Sequence, residues 1–487
     1  MREDANSMAG SGLSTYNYKR LWIWLCIGWM VSSADRVITG PVVTWMIEHK
    51  VAFMATEHPY ALGGLIGSIF FAGYMLTQFP GGYAGDRHGH RTVLAISLFA
   101  AAVATLVSGL AAVLVVFIAA RILTGLGEGL YYANDRTIIA ETTPLAERSL
   151  AMGVVMIGLS VGITFATLGG AWIIEMSRPW LGDDQAWRMP FFVLAILSFA
   201  AAVGLRKELW RTRCPRDNPA GAAKVIGAYS AIFFVLIFGV FLLAQRLGLP
   251  GWGVAALELL LALGLIAYVY RSKAREISGA IHDTNLLLLY LAAIAVLWNL
   301  WFFGFWAISI VSAGADGSFL KAALTAMFTG VAGLIGFPLG GWIADRAVKT
   351  GFGRKRILVV FTFAQGLLTL CFAIYIHTGG NSLLVMAFLL FAAGLFFSAL
   401  QPVSHAMTAD IARPEFRGSA FGMWNLVGEI GAVLSPVVSG TLRDAYNSWV
   451  PAVYLDAAII LASCALLLFV REALPTKSVA RVALATD

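Results

Sequence analysis

Six charged residues stand where the sequence is otherwise apolar: Asp35 and Arg36 in one run, and Arg121, Glu128, Asp135 and Arg136 in another. Arginine offers a planar fork of donors that can grip a carboxylate at two points, and it keeps its charge throughout the physiological range. A carboxyl group in a partly dry place behaves differently. Desolvation favours its neutral form and a nearby guanidinium its ionised form. An acid held between those influences can pick up and drop a proton when its surroundings change. Arg121, Glu128 and Asp135 are seven apart, so a helix carries them on one face over four turns. The set has the chemistry of an anion site beside a proton site, with Arg36 and Arg121 to hold the anion and Glu128, then Asp35, to carry the proton. The competing reading is a group of buried ion pairs that only lock two helices together.

The surrounding elements decide how costly those charges are. Of 487 residues, 59% are hydrophobic and 13% charged, whereas a soluble domain has roughly 25% charged residues. A soluble enzyme is excluded on that ground. A membrane-crossing helix needs about 20 mostly apolar residues, and fourteen such runs follow one another between 20–47 and 449–470, including a central pair at 223–245 and 251–270. They are long and continuous, which predicts helices and not barrel strands. A charge at mid-bilayer costs roughly 2.5–3.5 kcal/mol, so the six residues need a purpose. Placing the N-terminus inside puts 25 of the 34 Lys and Arg on the cytoplasmic side, and this predicts an N-in, C-in chain. The net charge of +7 therefore belongs to a membrane surface and not to nucleic acid. Cys26, Cys214, Cys371 and Cys464 form neither a disulfide framework nor a metal spacing, and the seven histidines show no metal spacing either. No metal or cofactor is expected, no phosphate loop is present, and the polar stretch up to Arg20 carries no sign of a removable signal peptide.

The chain also repeats itself. Gly81-Gly82-Tyr83-Ala84-Gly85-Asp86-Arg87 returns as Gly340-Gly341-Trp342-Ile343-Ala344-Asp345-Arg346. Glu141/Asp410, Arg148/Arg417, Gly153/Gly422 and Gly162/Gly431 follow at one shared offset. This predicts two six-helix bundles, 1–206 and 285–471, with two inserted helices in 207–284 and a cytoplasmic tail over 472–487. Parallel repeats of this kind belong to alternating-access transporters. Asp86 and Asp345 would then cap the N-termini of the helices 416–441 and 147–175 across the interface, with Arg87, Arg346, Asp135, Arg136 and Arg148 as further gate residues. Polar and aromatic residues expected to shape the substrate space are Tyr74, Gln78, Trp298, Asn299 and Asn425. Glu429 lies one turn from Asn425. His405 and Asp456 read as satisfied structural groups.

The stretch Gly82-x-x-x-Asp86-Arg87-x-Gly89-His90-Arg91 resembles the loop signature of the major facilitator superfamily, with His90 where Arg or Lys is usual. Within it the chain resembles the anion:cation symporters. Ala34-Asp35-Arg36, Gln78-Phe79-Pro80-Gly81-Gly82, Arg121-x-x-x-Gly125-x-x-Glu128 and Pro144-x-x-Glu147-Arg148 carry that likeness. The resemblance implies an all-α polytopic fold of 6+2+6 helices and proton-coupled uptake of an organic anion such as a sugar acid or aromatic carboxylate. It implies a proton site at Glu128 and substrate handling at Arg36 and Arg121. A monomer in the inner membrane, with the anion, the proton and the bilayer as its only partners, is the expected setting. A drug:proton antiporter and a spinster-like lysolipid carrier stay open as alternatives. The stretch Gly162 to Gly170 lacks the proline expected of the antiporter, and the Gln78–Gly82 lead-in fits the anion carriers better than the lipid carriers.

Overall fold

A backbone that crosses lipid must satisfy its own N–H and C=O groups, and the apolar runs do this as helices. The computed structural model describes residues 17–143, 148–211, 217–261, 263–264, 267, 271, 283–314, 318–413 and 417–471, and no strand occurs among them. In chain order the helices are α1 (Tyr18–Glu48), α2 (Pro59–His88), α3 (His90–Leu110), α4 (Leu114–Glu128), α5 (Tyr131–Thr142), α6 (Arg148–Thr164), α7 (Gly170–Leu181), α8 (Met189–Leu209) and α9 (Pro219–Leu247). Then come α10 (Gly251–Leu261), α11 (Thr284–Gly314), α12 (Phe319–Ala326), α13 (Phe328–Lys349), α14 (Arg354–His377), α15 (Leu383–Ile411), α16 (Arg417–Tyr446) and α17 (Val450–Leu468). Counting α4–α5, α6–α7 and α12–α13 as single crossings, thirteen helices among the described residues are long and apolar enough to span a bilayer. The chain is an all-α, multi-pass membrane protein. Of the remaining predicted span, 251–270, the helix is described over Gly251–Leu261.

The predicted span 111–139 is not one uninterrupted helix. It breaks at Gly129-Leu130, between α4 and α5. A side chain on Gly129 would collide with the carbonyl of Tyr74 on α2, so only glycine allows that close approach. Glu128 thus sits at a helix end. A π-helical turn, Phe165–Gly169, joins α6 to α7.

The helices form two compact units. The first comprises 1–36, 73–162 and 188–238, and the second 37–72, 163–187 and 239–487. These units cut across the sequence repeat, because α1, α2 and α9 each contribute a part to both. The first unit is built around Leu21, Leu25, Trp29, Leu94, Leu98, Tyr131, Ile138, Ala201 and Leu205. The start of the inserted segment is pinned to it. Arg91 donates to the Leu209 carbonyl at 3.0 Å and to Asp217, and Ala222 and Ile226 pack with Ala84, Val93 and Leu130. The second unit has its own core, with Leu286, Leu289, Tyr290, Leu358, Leu400, Val403, Trp424 and Leu467. In it α10 packs by Gly251 on Leu65 and Val437, and Trp306 donates to the Pro436 carbonyl at 2.9 Å.

Candidate functional site

The face of α1 that carries Ser32, Asp35 and Arg36 meets the charged face of α4 inside the first unit. Arg36 Nε donates to Glu128 Oε2 at 2.9 Å. Ser32, one turn before Arg36, donates to the same carboxylate oxygen at 3.0 Å and accepts from Arg36 Nη2 at 3.0 Å. The guanidinium lies over the ring of Tyr74, 4.3 Å from its centroid. Arg36 is 5% exposed and Glu128 2%. Glu128 Oε1 has no hydrogen-bond partner among the described residues.

A second pair lies alongside. Arg121 Nη1 donates to Asp35 Oδ1 at 3.0 Å, and the Thr105 hydroxyl donates to Asp35 Oδ2. The rest of the Arg121 fork is held by neutral oxygens: Nε and Nη2 reach Ser108 Oγ at 3.1 and 2.9 Å, and Nη2 reaches Thr124 Oγ1 at 2.9 Å. Phe191 covers the guanidinium at 5.0 Å. Arg121 has no exposed surface. Its donors, expected to hold a substrate anion, are engaged here by Asp35, Ser108 and Thr124.

The third pair is Asp135–Arg136 on α5. Arg136 Nε stands 3.7 Å from Asp135 Oδ1, and Trp29 Nε1 donates to Asp135 Oδ2 at 2.5 Å. Arg136 points its two terminal nitrogens at the sulfurs of Met152 and Met156. Arg121, Glu128 and Asp135 therefore all face α1, one below the other.

The other candidates are placed as follows. Gln78 is half-buried on α2. Trp298 is buried, and its indole N–H has no acceptor among the described residues. Asn299 belongs to a different cluster: it donates to Asp456 Oδ2 at 2.6 Å and accepts from Gln365 at 2.9 Å. The buried Asp456 carboxyl draws it in, and Asp456 Oδ1 has no partner among the described residues. Asn425 donates to Glu429 Oε1 at 3.5 Å. His405 meets the Trp424 ring edge-on at 4.4 Å.

Of the gate residues, Asp86 is 77% exposed and faces His90 at 3.3 Å, while Arg87 donates to the Tyr83 hydroxyl. Asp345 accepts from Arg354 at 3.0 Å, Arg354 also pairs with Asp410, and Arg346 lies over Trp342. Asp86 and Asp345 thus each face a basic group of their own repeat half, where helix caps are the expectation. The loops 144–147 and 414–416 and the side chain of Arg148 lie outside the described residues, so the caps on α6 and α16 fall there too.

Trp29, Thr105, Ser108 and Thr124 carry no charge and fit an apolar span, so nothing in their residue type marks them. Ser32 carries a faint signal, one helical turn from Arg36 on the same face. No group of three or more metal-ligating side chains occurs among the described residues.

Comparison with known proteins bears on the family. The chain matches the Major Facilitator Superfamily over residues 25–392 and again over 314–485. It is 25% identical over 415 residues to a D-galactonate transporter of Escherichia coli O6:H1, covering 84% of this chain and 86% of that protein. It is 24% identical over 485 residues to a probable galactarate/D-glucarate transporter of Bacillus subtilis (96% and 95%). It is 23% identical over 468 residues to the cis,cis-muconate transport protein of Acinetobacter baylyi (95% and 96%). Among solved structures, a D-xylose-proton symporter superimposes with a TM-score of 0.65 at 17% identity, covering 93% of this chain and 98% of that one. A POT family transporter in complex with 5-aminolevulinic acid gives 0.70 at 13%, covering 91% and 95%. At those identities the structural likeness speaks for the fold. The loop signature, the duplicated halves and the helical architecture have one common explanation: the chain belongs to the major facilitator superfamily.

Proposed function

We propose that the chain is a proton-coupled symporter that takes up an organic anion, such as a sugar acid or aromatic carboxylate, by alternating access across the inner membrane, working as a monomer. The observation that carries the reading is the Arg36–Glu128 contact at 2.9 Å, buried beneath Tyr74. An anion does not join a neutral ion pair in a dry site at low cost, because it brings an uncompensated charge. A proton on Glu128 removes that obstacle: the acid becomes neutral and Arg36 is free to exchange its carboxylate for that of the substrate. One proton then accompanies one negative charge, and the two solutes depend on each other. Asp35, fixed by Arg121 and Thr105, sets the field in which Glu128 works and is the second candidate for a proton. Relatives named as galactonate, galactarate/glucarate and muconate carriers support the substrate class. Trp298 is the neutral donor suited to a substrate hydroxyl. Asn299 and Asn425 already serve acids and would act on substrate only after leaving them.

The test is uptake of radiolabelled D-galactonate and D-glucarate into proteoliposomes under an imposed pH gradient. Glu128→Gln is expected to lose gradient-driven accumulation by about 100-fold or more while retaining counterflow exchange. Accumulation by that variant at the wild-type level overturns the assignment of Glu128.

A further inference from the structure

Two guanidinium groups rest on one indole. Arg36 lies over the Trp29 ring at 5.2 Å from its centroid, and Arg136 over the same ring at 5.5 Å. The indole N–H donates to Asp135 Oδ2 at 2.5 Å, and the side chain is 3% exposed. Trp29 therefore touches both the Glu128–Arg36 pair and the Asp135–Arg136 pair.

We propose that Trp29 is a positioning residue that makes the Asp135–Arg136 pair respond to the protonation state of Glu128. The inference rests on the reading of Glu128 as the proton site. With Glu128 ionised, its carboxylate and Ser32 hold Arg36 in place, and the guanidinium stands against the ring. A cation attracts an aromatic face only while it stays over it. When Glu128 takes a proton and Arg36 turns to a substrate carboxylate, that hold on the ring is lost. The indole is rigid, so any tilt of the ring carries the N–H with it, and the N–H is a hydrogen bond on Asp135. The groups facing Glu128 are Arg36 and Ser32, with Asp35 beyond them bound to Arg121. Those facing Asp135 are Arg136 and Trp29 in direct contact, with Arg36 and Tyr131 within electrostatic reach. The hydroxyl of neighbouring Tyr131 donates to the Leu25 carbonyl at 3.2 Å. Trp29 makes a direct contact with both pairs.

Trp29→Phe tests this directly, since it keeps a ring beneath both guanidiniums and removes the donor to Asp135. The probe is D-galactonate, or D-glucarate if that is the better substrate of the wild type, in the same proteoliposomes. A purely structural tryptophan predicts unchanged coupling. The relay predicts counterflow KM within about twofold of wild type, gradient-driven uptake about tenfold slower, and a displaced pH profile of uptake. In the Glu128→Gln background, where there is no protonation to report, Trp29→Phe should change counterflow by less than about twofold. A wild-type pH profile in Trp29→Phe, gradient-driven uptake at the wild-type rate, or a larger change of counterflow in the Glu128→Gln background overturns the relay while leaving the symport reading intact. Failure of the wild type to accumulate either acid overturns the symport reading itself. Should Trp29→Phe not elute as a single species, Trp29→Leu takes its place, since it too removes the donor to Asp135, and the pH profile of uptake is read in the same way.

Discussion

The two compact units handle buried charge in opposite ways. In the first, three intramembrane acids each face an arginine: Asp35 with Arg121, Glu128 with Arg36 and Asp135 with Arg136. In the second, Glu258, Glu429 and Asp456 are buried, and no arginine or lysine is buried among its described residues. Asp456 has neutral company only, the amide of Asn299 braced by Gln365. The buried arginine–acid pairs thus lie in one unit, while the Asp-Arg loop motif of the sequence occurs twice. Under the proposed function, a paired acid has a cation it can release to a substrate anion, and an acid among amides has none.

The comparison breaks most visibly at the Asp35–Arg121 pair. Arg121→Ala leaves a carboxylate with 1% exposure and no cation, and removing one partner of a buried pair costs about 3–5 kcal/mol. The variant is expected to lose most of its thermal stability in detergent. Replacing both charges together, as Asp35→Asn with Arg121→Gln, should return much of it, because the uncompensated charge is gone. Recovery of stability without recovery of transport separates the structural contribution of the pair from its electrostatic one. If Arg121→Ala is as stable as wild type, the pair is not the dry lock that its geometry describes.

What could be read from the sequence follows from how conspicuous each residue is against its background. Asp35, Arg36, Arg121 and Glu128 stand out because a charge in an apolar run is expensive, and spacing by seven assigns them to a face. Their neutral partners do not stand out. Thr105 and Ser108 sit in a run with no charge at all, and Trp29 looks like packing. Asn299 shows the opposite difficulty. It reads as a cavity residue, yet Asp456, 157 positions away, holds it. A contact that distant leaves no periodic trace. The break after Glu128 was hidden because glycine is tolerated within a membrane helix as well as at its end. The helices themselves were readable, since lipid leaves an apolar run few other choices.

The second unit should be more forgiving. Asp456→Asn substitutes a near-isosteric neutral group, and the expected change in stability is under about 1 kcal/mol, with gradient-driven uptake retained. Asn299→Leu is a sharper probe of the same cluster. It strips Asp456 of its donor and Gln365 of its acceptor, and leaving buried polar groups unmatched costs about 1–3 kcal/mol. Thermal unfolding of the two variants should rank them in that order. Loss of coupling in Asp456→Asn, with exchange kept, would place a working acid in both units and end the contrast.

The smallest effect is expected at the gate loops, where the two copies are nearly alike. Gly89, at φ +99°, precedes His90, and Gly353, at φ +84°, precedes Arg354, so a residue with a basic ring or fork starts the next helix in each. Only the second copy has a strong cation there. Arg354 joins Asp345 at 3.0 Å and also binds Asp410, whereas His90 stands 3.3 Å from an Asp86 that is 77% exposed and shares its ring with Asn134 at 2.8 Å. His90→Arg gives the first copy the fork of the second. Because the partner carboxylate is solvated, the gain should stay within about 1 kcal/mol and fade as salt rises. Arg354→Gln removes a cation shared by two acids and should cost more than His90→Gln at low salt, with the gap closing near 1 M salt as screening shortens to about 3 Å. A gap that persists at high salt would mean that Arg354 acts through its hydrogen-bond geometry more than through its charge.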